Sequence, residues 1–310
     1  MARVPWRDVT GVVLVDKPLE VSSNAALQQV RRLFRARKAG HAGTLDPLAT
    51  GLLVVCFGEA TKFAGYLLES HKHYEGTLRL GTRTATGDVE GDVVETAPLP
   101  GVMHDLVPVE QAFTGTIRQR PPVYSALKRD GQPLYRLARK GIEVEVPERE
   151  VVIQRLVLSW RAPDLIAFDV ECGSGTYIRS LGEDIARALG TVGHLGGLRR
   201  TGSGPFRIAQ AATPAALAAL DGPALAHRLL SPAVLPYRLP ALALAAEAAR
   251  DIAHGRRTRV NPRTAPGRYR LHDPERVFLG IGAVGSEGAL TPVRLMSAPL
   301  PAVPGHSEPG

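Results

Sequence analysis

Cysteine is nearly missing from this 310-residue sequence, which holds only two. Cys56 and Cys172 stand 116 positions apart and form no Cys-x-x-Cys pair, so a disulfide framework or zinc site is unsupported and two reduced, buried thiols are expected. Long apolar runs are also absent. Stretches such as Gly51 to Phe57 fall far short of the roughly 20 residues a membrane helix needs. The start has Arg3 and Arg7, but its only apolar run is Gly11 to Val15, too short for a signal-peptide core. A cytoplasmic protein with no membrane partner is the expectation. No internal repeat is visible, and the 44% apolar and 22% charged composition excludes disordered and collagen-like chains.

Lysine is scarce as well. Only six of the 38 cations are Lys, so genome composition can account for part of the net charge of +8 and the pI near 9.8. Placement carries more information than the total, because a polyanion-binding face needs cations without acids among them. Three segments qualify. Gln28 to His41 carries Arg31, Arg32, Arg35, Arg37 and Lys38 and no carboxylate. Arg118 to Lys140 carries seven cations against Asp130, interleaved with Tyr124 and Tyr135, and Arg250 to Arg270 carries seven Arg against Asp251. Any one run can be a solvated face; three in one chain point toward nucleic acid.

Along the chain, Gly11 to Val15 reads as a strand closed by Asp16-Lys17-Pro18, with Ser22, Ser23 and Asn24 as N-caps for a following helix. Leu27, Val30, Leu33 and Phe34 fall at helical spacing with the arginines on the opposite face. Then comes a Gly- and Pro-punctuated loop, Gly40 to Gly51, which runs straight into the apolar strand Leu52 to Phe57 and fixes His41, Thr44 and Asp46 to a rigid element. Tyr74 to Leu80, Val151 to Leu158 and Leu165 to Cys172 alternate as strands, and Thr176 to Leu189 reads as a helix. Pro236 to Pro240 looks like a linker. Beyond it a helix at Leu242 to His254 and strands at Val277 to Val284 and Ala289 to Leu295 form a small β-rich module, followed by a mobile tail from 299 to 310.

Asp46 is the one carboxylate in the glycine-bounded loop, and Pro47 fixes the chain direction after it. Spacing alone also fits an Asp that caps a turn. No second acid suggests a glycosidase pair, and neither a Gly-x-Ser-x-Gly elbow nor a phosphate-binding Gly-x-x-x-x-Gly-Lys loop occurs. His71-Lys72-His73 has no carboxylate or Cys at metal-ligand spacing. No cofactor and no metal are therefore expected.

Gly40 to Gly51 (GHAGTLDPLATG) resembles the catalytic motif of bacterial TruB-type tRNA pseudouridine synthases. Asp16 to Ser23 (DKPLEVSS), Gly58 to Lys62 (GEATK), Pro121 to Arg139 (PPVYSALKRDGQPLYRLAR), Gly175 to Leu181 (GTYIRSL) and Gly197 to Thr201 agree in order and spacing. The resemblance implies isomerisation of the T-loop uridine of tRNA, position 55, to pseudouridine. It implies Asp46 as the catalytic aspartate, Tyr74 as the residue stacked on the target base, and Arg179 as the ion-pair partner of Asp46. By the same resemblance Tyr177 lies beneath the base, Leu198 walls the pocket, and His41 fills the vacancy left in the RNA stack. Lys17 and Lys62 match basic positions that are structural or directed at phosphates. Arg136, Arg139 and Lys140 fall in an insert at about 121 to 149 that grips the T-arm. Two residues depart from the pattern: Ser174 replaces the usual Lys, which removes one phosphate contact, and Glu20 replaces a turn glycine.

The implied chemistry suits the residues. Uridine becomes pseudouridine when the N1–C1′ bond breaks, the base turns and C5 joins C1′, a redox-neutral change. It calls for an ionised carboxylate that can attack C1′ or C6 or instead take the proton at C2′, and a base flipped from the RNA costs a few kcal/mol, against about 1 to 3 kcal/mol returned by stacking on an aromatic side chain. A pure RNA-binding module is the first rival, and a guide-RNA-dependent relative the second; the insert favours the stand-alone enzyme, with no guide RNA and no protein partner required. The fold implied is α+β: a mixed, largely antiparallel central sheet flanked by helices over 1–238, with the site in a cleft across it. A small β-barrel-like PUA domain at 239–298 would reach the acceptor stem. A chain cut after Leu239 is expected to keep its chemistry and lose RNA affinity, unless the module caps the catalytic core.

Overall fold

The computed structural model describes residues 5–122, 128–129, 132–133 and 146–297. Arg136, Arg139, Lys140 and the tail 299–310 lie outside the described residues.

Nine strands build the main sheet. Its path runs from Gly11–Lys17 through Ala49–Phe57, Gly193–Ser203, Lys72–Leu80, Leu165–Cys172 and Arg149–Ala162 to Gly115–Gln119, with Ala39–His41 and Phe206–Arg207 paired to the side. The Ala49–Phe57 strand is buried along nearly its whole length, as its β-branched and apolar composition requires of a strand covered on both faces. Every pairing on the path is antiparallel except one. Ala49, Thr50 and Gly51 lie parallel to Leu198, Arg199 and Arg200. On its other edge the same strand sets Leu198 opposite Gly76 and Arg200 opposite Tyr74. One strand thus brings the end of the Asp46 loop and the start of the Tyr74 strand together.

Two glycines permit this closeness. A Cβ on Gly51, whose φ is +101°, would lie 2.3 Å from the Arg200 carbonyl oxygen. One on Gly76 would lie 2.4 Å from the Gly197 oxygen and 2.5 Å from the Phe168 ring. No larger residue fits either position.

Helices flank the sheet as expected. Ser22 accepts a side-chain hydrogen bond from the Ala25 amide and starts the helix Ser23–Phe34, which buries Ala26, Leu27, Val30 and Phe34 against Val13, Val15, Leu53 and Val55. The helix stops where Arg35 turns left-handed at φ 54°, and not all of its arginines are free: Arg31 sits 4.6 Å over the Trp6 ring and donates to the Ala36 and Arg37 carbonyls. The helix Ile178–Ala188 buries Ile178, Leu181, Ile185 and Ala186 against Leu78 and Leu195. It begins two residues later than the pattern suggests, because Tyr177 is extended at φ −100°, ψ 112°.

Residues 241–295 form a second, five-stranded sheet, a half-barrel that fits the small β-barrel-like module expected. The expected helix Leu242–His254 is instead a strand, Ala241–Ala243, and a shorter helix, Ala246–Ala253. Tertiary pairing overrides the propensity of the Ala-Leu run: Ala241 to Ala243 lie parallel to Arg270 to His272. The module also shares a core with the first sheet. Phe278, Ile281 and Met296 pack in one cluster with Phe63, Leu67 and Phe206, and the Phe63 and Phe278 rings meet edge to face at 5.2 Å.

Cys56 and Cys172 are buried and free. Burial pushes both thiols up to about 12. Among the described residues no helix is long and apolar enough to cross a membrane.

Candidate active site

Asp46 projects from the loop between Ala39–His41 and Ala49–Phe57, with its side chain 40% exposed. Arg179 reaches it from the second position of the helix Ile178–Ala188, with Nε 3.1 Å from Asp46 Oδ2. That guanidinium is 8% exposed, and the same Nε lies 3.8 Å from Oδ2 of Asp88, a carboxylate 3% exposed. Nη1 of Arg179 donates to the Thr86 carbonyl at 2.8 Å. One buried cation is thus shared between an open carboxylate and a closed one, which fixes its fork and leaves Asp46 accessible.

Asp88 is held in turn. Its Oδ1 accepts from Thr86 Oγ1 at 2.5 Å and from the Glu90 amide at 3.0 Å. Glu90 lies within the field of both aspartates, and burial, then Asp88, then Asp46 push its carboxyl above the usual range. Little in the sequence singles out Asp88; its signal is a Thr-x-Thr-Gly-Asp turn, which looks like ordinary loop chemistry.

Tyr74 is half-buried beside Leu198, and both pack onto the cluster that contains Val170 and Leu195. Burial raises the phenol above its ordinary range, and the nearby Arg200 charge opposes that shift. Arg200 itself is fully buried. Its Nε donates to the Leu52 carbonyl at 2.7 Å and Nη2 to that of Gly43 at 3.1 Å, with Thr44 O at 3.4 Å from Nη1. The second arginine of the Gly197 to Thr201 segment therefore ties the Asp46 loop to the Tyr74 strand. The family resemblance assigns a role in that segment to Leu198 alone.

His41 lies at the root of the loop. Its Nδ1 is buried without a hydrogen-bond partner, and burial followed by the Arg200 charge holds the imidazole below its usual range. Tyr177 forms the extended turn before Arg179, with the Arg149 guanidinium 4.9 Å from its ring centroid.

Both lysines of the expected substrate set have partners within the protein, which favours the structural one of the two alternatives the resemblance leaves open. Lys17 is completely buried. Its Nζ donates to Val21 O at 2.5 Å, Pro18 O at 2.9 Å and Pro47 O at 3.3 Å, so it clamps the peptide that follows Asp46. Burial lowers its pKa, and Asp46 opposes that shift. Lys62 pairs with Glu59 at 2.6 Å and donates to Leu295 O at 3.2 Å and Ser297 Oγ at 2.8 Å. It fastens the second module to the first. Among the described residues no group of three or more His, Cys, Asp or Glu side chains could hold a metal ion.

A model of the TruB family pseudouridylate synthase N-terminal domain matches residues 31–178. Two models of TruB C-terminal domains match 179–237 and 240–296. The tRNA pseudouridine synthase B of Burkholderia mallei (strain ATCC 23344) is 48% identical over 304 residues, covering 95% of this chain and 96% of that protein. The chain belongs to the TruB family. A second relative in the family, the tRNA pseudouridine synthase B of Stutzerimonas stutzeri (strain A1501), is 46% identical over 294 residues, covering 94% and 96%. Among solved structures, a Cbf5-Nop10-Gar1 complex contains a chain that superposes with a TM-score of 0.69 at 22% identity, covering 92% of this TruB-family chain and 84% of its own. That likeness establishes a shared fold.

Proposed function

We infer that this chain is an isomerase that converts uridine to pseudouridine in tRNA. Membership of the TruB family supports the reaction, and the shared cation between Asp46 and Asp88 is the observation that gives it a mechanism. The net change moves C1′ from N1 to C5 and a proton from C5 to N1, so no electron donor or acceptor is required. Asp46 is the nucleophile: its carboxylate is open to solvent, and Arg179 holds it in one orientation from behind. Tyr74 and Leu198 offer an aromatic and an aliphatic wall to a flipped uracil. His41, neutral near pH 7, is the residue that enters the gap in the RNA stack, and Tyr177 supports the base from beneath.

The target is the T-loop uridine at position 55. Arg136, Arg139 and Lys140 of the insert grip the T-arm. The module at 239–298, read as a PUA domain, presents Arg256, Arg257, Arg259 and Arg263 to the acceptor stem; these residues are exposed or partly exposed in the structure. No guide RNA or protein partner takes part. The test is pseudouridine mapping on T-arm RNA incubated with the purified chain alone. Pseudouridine at the T-loop uridine supports the reading; an unmodified T-arm beside a modified full-length tRNA refutes the T-arm as the sufficient substrate; and no product on either refutes the activity.

A further inference from the structure

The two strand ends from which the insert departs and to which it returns meet at the active-site turn. Gln119 ends the strand Gly115–Gln119, Arg149 begins the strand Arg149–Ala162, and the two are cross-strand partners in the sheet. Gln119 is buried at 1% exposure. Its side-chain amide accepts from the Tyr177 amide nitrogen at 2.8 Å and donates to the Tyr177 carbonyl at 3.0 Å, the double hydrogen bond one strand gives another. Arg149 donates to the Gly175 carbonyl and lies over the Tyr177 ring. One residue farther along, the Arg120 carbonyl accepts from Ser180 Oγ at 2.8 Å.

These contacts matter because the helix they touch has no cap of its own. Tyr177 is the N-cap of Ile178–Ala188 and makes no side-chain cap hydrogen bond, and no acid stands in the first turn. Of the amides that a helix start leaves without an intrahelical partner, that of Tyr177 is held by Gln119. Arg179 is the second residue of that helix, so the position of its fork on Asp46 follows the position of the turn. Misplacement of a reacting geometry by about 1 Å can cost a hundredfold in rate.

We propose that Gln119 and Arg149 are positioning residues for pseudouridine formation, fixing the Gly175–Tyr177 turn so that Arg179 and Tyr177 face Asp46. Neither touches the substrate. The inference rests on the functional reading above and adds to it two residues to which the motif resemblance assigns no part in the chemistry.

Single-turnover pseudouridine formation by the full chain on T-arm RNA tests it, with RNA affinity and thermal unfolding measured on the same preparations. Gln119→Met keeps the size of the side chain and removes both hydrogen bonds. It is expected to slow the chemical step tenfold or more while leaving the Kd within threefold. Arg149→Lys, which keeps the charge and loses the planar stack, is expected to slow the step less, and it decides the matter if the Met variant fails to fold. Combined with Arg179→Lys, either change is expected to slow the reaction by less than the product of the single effects, because all act through one contact. Rates equal to wild type, or losses that multiply in full with Arg179→Lys, overturn the assignment while the activity itself stands. A wild-type chain that makes no pseudouridine overturns the functional reading and this inference with it.

Discussion

Truncation after Leu239 is expected to damage the catalytic sheet as well as the RNA-binding surface, and a point substitution shows why. Phe278 belongs to the second module, yet its ring rests on Phe63 at 5.2 Å within a cluster that also holds Leu67 and Phe206. Phe278→Ala removes a buried aromatic ring from that shared core, a change that costs about 3 to 5 kcal/mol. At roughly 2 °C per kcal/mol for a chain of this length, the midpoint should fall by roughly 6 to 10 °C. Because the core is common to both modules, calorimetry should show one transition that moves as a whole. Truncation removes Phe278, Ile281 and Met296 together, about 5 to 9 kcal/mol of apolar burial at about 1.5 to 3 kcal/mol each, against a native stability on the order of 5 to 15 kcal/mol. The Lys62 and Glu59 contacts to residues 295–297 are lost at the same time. A truncated chain is therefore expected to be poorly soluble, and the kinetic signature of a detachable module, a raised KM with unchanged kcat, should not be obtainable from it. Two separate thermal transitions in the intact protein, with only one moved by Phe278→Ala, would refute this reasoning, as would a truncated chain that melts at the wild-type temperature.

Four further outcomes are expected. Asp46→Asn should abolish pseudouridine formation while T-arm affinity stays within a factor of ten, about 1.4 kcal/mol, since an amide keeps the shape and loses the nucleophile; more than a few per cent of the wild-type single-turnover rate would remove Asp46 from its role. Lys17→Met leaves three carbonyls short of a donor at roughly 1 to 3 kcal/mol each; it should lower the melting temperature without changing the slope of log affinity against log salt, and a flatter slope would restore Lys17 as a phosphate contact. Replacing Arg136, Arg139 and Lys140 with Ala should flatten that slope by about one unit per lost phosphate contact, and an unchanged slope would take the insert off the RNA. At pH 8 both thiols, pushed up to about 12, should be about one part in ten thousand thiolate and resist a thiol reagent until the chain unfolds; prompt labelling of the native protein would contradict their burial.

Local features were legible in the sequence where one segment carried its own explanation. Ser22 as a cap, the strands Leu165–Cys172 and Ala289–Leu295, and the glycine-bounded Asp46 loop all follow from short-range rules, and the structure reproduces them. The choice between a structural and a phosphate-directed role for Lys17 and Lys62 is not legible in the sequence because their partners are remote. A motif lysine looks the same whether it faces a phosphate or a carbonyl; Pro47 lies 30 residues from Lys17 and Leu295 lies 233 from Lys62. Asp88 and Gln119 stayed hidden for a related reason. Each is a polar residue in a turn or at a strand end, where such residues are common, and its meaning comes only from the arginine or tyrosine that the sheet brings opposite.

The charges around Asp46 explain how a site rich in carboxylates can accept a polyanion. Asp46, Asp88 and Glu90 lie close enough together that the two aspartates raise the Glu90 carboxyl, and a phosphate nearby would be repelled by all three. Three cations oppose that repulsion by different means. Arg179 pairs with Asp46 and Asp88 directly. Lys17 and Arg200 are bound to carbonyl oxygens, and among the described residues neither makes a carboxylate salt bridge. A buried charge of that kind is held in place by dipoles and is screened by salt far less than a surface lysine. Its field extends through the loop toward whatever approaches Asp46. Lys17, a basic position of the family motif, and Arg200 thus favour an anionic substrate from within the fold.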